Sequence, residues 1–264
     1  MTSAPPAIRR LGFGFWSFIV FMLALTVLWV GLGVWQLQRL QWKETLLAEV
    51  NERLTAAPYE LPPAGEWASL DAERFTFHPV TLSGAFVATG AILVFTSLSE
   101  AKGKYAGPGY WIMTPFATDD GGTVFVNRGF VPHDNANAFL DANTVPKGHM
   151  TMTGVALAAE AAGPFTPAPD RSGRIDWVRD PGRLAALSGI SGPVLPLTVD
   201  LPAGPTGALP QGGETVVDFP NNHLGYAITW FGFALLTPLL LGYWIWRQLK
   251  PKANDGGLLR APGP

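Results

Sequence analysis

Two stretches of this chain carry no ionisable side chain, and they constrain its fold more than any other feature. Residues 11–38 form a run of 28 without Asp, Glu, Lys, Arg or His, and Leu224–Trp246 form a second run of 23. About 20 apolar residues, rising about 1.5 Å each, cross a hydrocarbon core of roughly 30 Å. Each run is therefore long enough to span a bilayer. Trp16, Trp29 and Trp35 mark the first run, and Tyr243, Trp244 and Trp246 close the second, as interfacial aromatic belts do. A cleaved signal peptide with Gly31-Leu-Gly33 as its small-residue site is the rival reading of the first run. A signal peptide's apolar region is about 7–15 residues, and this run is roughly twice that, so a retained span is expected.

The expected architecture is a membrane protein of α+β class, two transmembrane helices flanking a β-rich extramembrane domain. In order these are a cytoplasmic tail (1–10), a span (11–38), a periplasmic β-rich domain (39–220), a second span (221–246) and a cytoplasmic tail (247–264). The orientation rests on positive charge. Arg247, Lys250, Lys252 and Arg260 follow the second run, whereas no Lys or Arg lies between Leu184 and Pro220. Around the first run Arg9 and Arg10 face Arg39, Lys43 and Arg53, which decides nothing by itself. Both termini are thus placed in the cytoplasm. The expected location is a bacterial inner (cytoplasmic) membrane.

The middle section reads as one domain with mostly strand-like signals. Arg74–Val87 alternates polar and apolar residues, and Ala91–Ser97 is β-branched and aromatic. Tyr110–Ala117 and Thr123–Val131 flank Thr118-Asp-Asp-Gly-Gly122, a hairpin turn. Met150–Leu157, Arg174–Val178 and Val194–Leu201 supply further strands. Gln41–Leu54 should continue the first helix, and Gly182–Leu187 suggests a short one. Pro58–Gly65, Gly163–Pro169 and Pro202–Gly213 read as loops.

Composition narrows the chemistry. There are no cysteines, which excludes disulfides, thiolate metal sites and Cys nucleophiles. The histidines at 78, 133, 149 and 223 have no paired spacing, and a net charge of −2 advertises no nucleic-acid surface. Phosphate-loop, nucleophile-elbow and HExxH motifs are absent. No catalytic residue is assigned, and the expectation is a non-enzyme. Asp119-Asp120 reads as a solvated turn pair, and His78 and His133 as surface or hydrogen-bonded residues. Arg128, beside Gly129, is expected to pair with an acidic neighbour or to receive a carboxylate.

The chemistry concentrates where the second span begins, at Pro220–Gly232 (PNNHLGYAITWFG). Asn221 or Asn222 can cap the helix. His223 then lies in the first turn, and His223, Tyr226, Ala227 and Trp230 share one helix face. Trp230 sits about 10 Å deeper than His223. A His above a shelf of Tyr and Trp suits a planar apolar cofactor with an iron centre, imidazole giving the ligand and the rings contact area. It is equally an interfacial His near a helix cap. Trp35, Arg39, Trp42 and Lys43 share a face at the end of the first span, either meeting haem propionates or anchoring the helix at the interface. Gly225, Thr229 and Gly232 form a small-residue stripe expected to pack on the first span.

Three motifs carry a family resemblance. They are Gly33-Val-Trp-Gln-Leu-Gln-Arg39 with Lys43, Val126-Asn-Arg-Gly-Phe-Val-Pro132, and Pro220-Asn-Asn-His-Leu-Gly-Tyr-Ala-Ile-Thr-Trp-Phe231. With the span–domain–span order, the chain resembles the surfeit locus protein 1 family, assembly factors of haem-copper cytochrome oxidases. The family pattern often has Trp where Phe130 stands. The resemblance implies a role in delivering haem a to oxidase subunit I, with His223 as the haem ligand and Tyr226, Trp230 and Arg39 completing the cofactor-binding set. Subunit I, the haem a synthase and membrane lipid are the implied partners. A scaffold that holds immature oxidase or the haem a synthase without ligating haem is the alternative.

Overall fold

In the computed structural model, which describes residues 12–88, 91–215 and 221–250, the chain divides into two compact units. One combines the described residues up to Leu46 with those from Asn221 onward; the other runs from Leu47 to Thr215 within the described residues. An apolar helix at each end and a sheet-rich domain between them give the anticipated order.

Helix α1 covers Phe13–Leu54 without a break, so Gln41–Leu54 does continue the first apolar run. The strands are β1 (Tyr59–Glu60), β2 (Pro79–Phe86), β3 (Ile92–Leu98), β4 (Gly107–Thr118), β5 (Thr123–Pro132), β6 (Met150–Ala158), β7 (Ile175–Asp176) and β8 (Val194–Asp200). Short helices α2 (Ala72–Phe75) and α3 (Pro181–Ser188) interrupt them, and α4 covers His223–Leu249. The expected hairpin is present, with Ala117 opposite Thr123 across the Thr118–Gly122 turn.

The sheet order is β1-β2-β6-β8-β5-β4-β3-β7, and β2 also pairs with β4. That extra pairing closes a five-strand ring, β2-β6-β8-β5-β4, which leaves those strands without free edges. Closure turns on Gly84, which sits in both ladders, opposite Met150 of β6 and Thr118 of β4. Its φ of +153° and the Ala117 carbonyl pressed against its α-carbon leave no room for a side chain.

Period-two alternation sends residues to opposite faces of the sheet, and two of the three buried clusters show it. Val80, Leu82, Val124, Val126, Leu195, Leu197 and Val199 gather with Phe116 and Trp67. Phe125, between Val124 and Val126, points the other way and joins Ile92, Val94, Met113, Phe130 and Leu184 of α3. Asp180 caps α3 by accepting from the Arg183 N–H at 2.8 Å, Pro181 opens it, and Gly189 ends it at φ +70°.

Two stretches depart from the sequence expectation. Residues 74–78 are not strand: Asp71 caps α2 by accepting from the Glu73 N–H, and Phe77 adopts φ +66°, so β2 begins only at Pro79. A short capped turn won over the alternating pattern. Pro58–Gly65 is not wholly loop either, since Tyr59 and Glu60 pair in parallel with Val80 and Thr81.

The Val126–Pro132 motif is built into this scaffold. Asn127 is buried; its Nδ2 donates to Asp200 at 3.1 Å and its Oδ1 accepts from the Gly129 N–H at 3.0 Å. Gly129, at φ +130°, lets Phe130 exchange two 2.8 Å backbone bonds with Gln211. Among the described residues Arg128 meets no acidic partner, contrary to expectation: its Nη2 donates to the Thr144 carbonyl at 2.6 Å, and burial pulls its guanidinium below the ordinary arginine value. Asp200 also accepts from Thr215 Oγ1 at 3.1 Å and faces Arg179 at 3.4 Å.

Burial pushes the Asp200 carboxyl above its ordinary value, against the pull of Arg179, Asn127 and Thr215. A raised folded-state value means that the group's contribution to stability is full below the ordinary carboxylate range and lost as pH rises through the raised value. Asp200→Asn fixes the neutral form and should flatten that dependence. Thermal unfolding of both proteins across a pH series checks this: the variant should gain on wild type as pH rises.

Candidate functional site

The paired helices build the site. They run antiparallel, with Trp29 on Trp230, Gly33 by Phe231, and Gln36 bonded to His223. At the far end Phe15 and Phe18 close on Trp244, with ring centroids 5.2 and 4.6 Å apart. On α4 the buried positions Ala227, Ala234 and Leu241 repeat every seven residues, and Thr237 is buried with them. A seven-residue repeat keeps one stripe of a helix facing its neighbour.

That register overturns the expected small-residue stripe. Gly225, Thr229 and Gly232 are exposed, and no atom lies within 4 Å of where a β-carbon would stand at Gly225 or Gly232. Close approach occurs on α1 instead: a β-carbon on Gly33 would lie 2.8 Å from the Phe231 ring.

His223 is the first residue of α4 and is half-buried. Its Nδ1 lies 2.7 Å from Oε1 of Gln36, a residue only 8% exposed on α1. An amide oxygen only accepts, so Nδ1 donates and carries the ring proton. No described residue bonds Nε2. The anticipated asparagine cap is absent: Asn222 occupies the N-cap position with no side-chain bond, and Asn221 Oδ1 is buried without a partner among the described residues. The Asn222 backbone carbonyl serves the first turn, accepting from the Tyr226 N–H at 3.3 Å.

Of the residues expected on one face, the structure brings His223 and Trp230 to α1 and leaves Tyr226 outside. Trp230 stacks on Trp29 with centroids 5.2 Å apart and planes 12° from parallel. Its Nε1 is buried and bonds no described residue. Tyr226 is 56% exposed, because the seam is centred on Ala227 and Tyr226 falls at its edge. On α1, the Arg39 guanidinium lies 5.8 Å from the Trp35 ring centroid and 5.7 Å from that of Trp42, held between two aromatic faces. Lys43 follows one turn on and is half-buried.

The other histidines lie in the sheet domain, in ordinary surroundings. His78 packs on Tyr59, His133 stacks on Tyr110, and His149 pairs with Asp119 at 3.0 Å on the exposed hairpin turn. Among the described residues no three His, Asp or Glu side chains gather as a metal site.

Comparison with known proteins settles the lineage. The model of the SURF1 family matches residues 23–235, which take in most of α1, the whole sheet domain and the first half of α4. The chain belongs to the SURF1 family. It is 30% identical to Surfeit locus protein 1 of Homo sapiens over 239 residues, covering 83% of this chain and 74% of the human one. A SURF1-like protein of Monosiga brevicollis is 30% identical over 268 residues, covering all of this chain and 97% of the other. Another, of Drosophila melanogaster, is 31% identical over 238 residues.

In this SURF1-family chain, Gln36 and Trp29 are the site residues that the sequence reading passed over. The signal was available: Trp29, Gly33 and Gln36 stand at i, i+4 and i+7, one face of α1, and Gln36 is one of two amides in a run without charge. The absence of cysteine allows a direct check of the pairing. The double variant Gln36→Cys/His223→Cys should cross-link in native membranes on mild oxidation. After proteolysis in the central domain, the two helix fragments should then remain joined on a non-reducing gel. Gln38→Cys/His223→Cys should not cross-link.

Proposed function

We propose that this chain is a membrane-anchored assembly factor of haem-copper cytochrome oxidase that holds haem a through His223 and passes it to subunit I. The observation that carries the reading is His223 itself: an imidazole at the end of an apolar helix pair, with Nδ1 engaged and Nε2 bonded by no described residue.

The residues fit the cofactor. Trp230 Nε1 is a buried donor with no described partner, and an orphaned buried donor costs about 1–3 kcal/mol until an acceptor meets it. Haem a carries carbonyl, hydroxyl and carboxylate oxygens. Tyr226, Trp35 and Trp42 expose aromatic surface, and Arg39 presents a fixed cation between two of those rings. When bound, haem a supplies an iron centre that accepts an imidazole nitrogen. His223 gives the nitrogen, Trp230 contact area and a donor, and Arg39 the counter-charge for a propionate. Their position at one end of an apolar helix pair lets an apolar cargo reach a neighbouring membrane protein without crossing water.

Support for membrane insertion comes from both helices. Their large apolar side chains are exposed along nearly every side, Val27 at 72% and Ile228 at 66% among them, a surface that suits lipid. At about 63 Å, α1 is twice the hydrocarbon thickness, so its Gln41–Leu54 portion stands outside the bilayer. The charge pattern supports an orientation with both termini in the cytoplasm and the sheet domain in the bacterial periplasm. Reporter fusions at Gly121 and after Pro251 test the orientation. A periplasm-dependent reporter should be active only at Gly121, and activity there of a cytoplasm-only reporter would reverse it.

The ligand assignment has its own test. His223→Ala should strip most haem from protein purified from cells making haem a, at matched expression, because the rest of α4 stays apolar and inserts. Trp230→Ala should lower occupancy less, since the iron ligand survives. Wild-type occupancy in His223→Ala would favour the scaffold reading, in which the chain holds immature oxidase or the haem a synthase and ligates nothing.

A further inference from the structure

We propose that Gln36 is the positioning residue of this site: by accepting the Nδ1 proton of His223 it fixes the imidazole tautomer that presents a bare Nε2. The inference rests on His223 being a haem ligand. A neutral imidazole carries one ring proton, and the nitrogen without it is the one able to bind a metal. Left alone, the ring exchanges that proton between its nitrogens and turns about its side-chain bonds. The 2.7 Å contact to Gln36 Oε1 removes both freedoms, and Nε2 is left with no described partner.

Gln36 is well placed for the task. It is 8% exposed on the seam of α1, one turn beyond Gly33, where the helices come closest through Phe231, and two turns beyond Trp29, which stacks on Trp230. Its side chain therefore approaches His223 from a backbone held by packing in the two preceding turns. Metal-binding histidines commonly give their second N–H to a carboxylate or carbonyl, which orients the ring and raises its basicity. Glutamine is the weak, uncharged form of that partner. It orients the ring while adding less electron density than a carboxylate, which suits a ligand that must let its cargo go.

The test compares wild type, Gln36→Leu, Gln36→Glu and His223→Ala as full-length proteins in lipid nanodiscs. Two readouts are used. Nitrogen NMR of protein labelled only in histidine, of which there are four, reports the tautomer without any haem. Titration with haem a extracted from an intact oxidase reports affinity, absorption spectrum and reduction potential.

Wild type should show His223 protonated on Nδ1 and bare on Nε2. Gln36→Leu should lose that preference and bind haem a about tenfold more weakly, in line with the usual loss when such a partner is removed. Gln36→Glu keeps an acceptor and should bind at least as tightly as wild type, release more slowly and show a lower potential for the bound haem. A merely structural role for Gln36 does not predict that shift. A bare Nδ1 in wild type would overturn the proposal. So would Gln36→Leu with wild-type affinity and spectrum while His223→Ala binds nothing, a result that leaves the ligand assignment standing. Wild-type affinity in His223→Ala would instead remove the ligand assignment, and this proposal with it.

Discussion

Among apolar side chains a polar group finds its partner inside the protein or goes without, and that constraint shapes the helix pair. Backbone groups are satisfied along each helix except where Pro238 of α4 lacks an N–H to donate. Side-chain hydroxyls follow the same rule: Thr26, Thr229 and Thr237 each donate to the carbonyl four residues back, at 2.8, 2.9 and 2.7 Å. His223 and Gln36 cannot do this within their own helices, so each is satisfied by the other, across the seam. Gly33, Ala227 and Ala234 keep side chains short where the helices meet, and that closeness is what lets an amide on one helix reach an imidazole on the other.

The sheet domain solves a different problem with the same economy. Its ring closes because Gly84 can serve two neighbours at once, and a buried carboxylate, Asp200, ties Asn127 of β5 and the loop residues Arg179 and Thr215 to β8. The Val126–Pro132 motif reads as a possible charge site in sequence and turns out to be structural. Asn127 clasps Asp200, and Arg128 reaches a backbone carbonyl rather than an acid. Nothing in the linear spacing reveals that Asp200 lies beside residue 127, because β5 and β8 meet only through a parallel pairing between strands far apart in the chain.

Local signals were legible and long-range ones were not. Uncharged runs announced α1 and α4, alternation announced β2, β-branched and aromatic residues announced β3, and the Asp-Asp-Gly-Gly turn announced the hairpin of β4 and β5. What sequence could not show was which faces meet. The expected stripe at Gly225, Thr229 and Gly232 follows from residue size alone, whereas the actual seam follows from fit against α1, where Ala227 and Leu241 pack and the glycines do not. Likewise, helix geometry put Tyr226 with His223 and Trp230, but a face about 100° wide has an edge, and Tyr226 stands on it at 56% exposure. Gln36 was missed because a glutamine has no titration or charge to flag it.

The distribution of unsatisfied groups gives the site its direction. Among the described residues, the sheet domain leaves single buried atoms without partners at scattered places: His78 Nδ1, Thr114 Oγ1, Arg128 Nη1 and Thr198 Oγ1. The helix unit leaves two, Asn221 Oδ1 and Trp230 Nε1, on either side of His223 and within ten residues of chain. One is an acceptor and the other a donor, and the ring between them already spends its own proton on Gln36. Each orphan costs more in an apolar setting than at a wet surface. Three polar groups with capacity to spare therefore lie between Asn221 and Trp230, a density of unmet polar capacity that no ten-residue stretch of the described sheet domain matches.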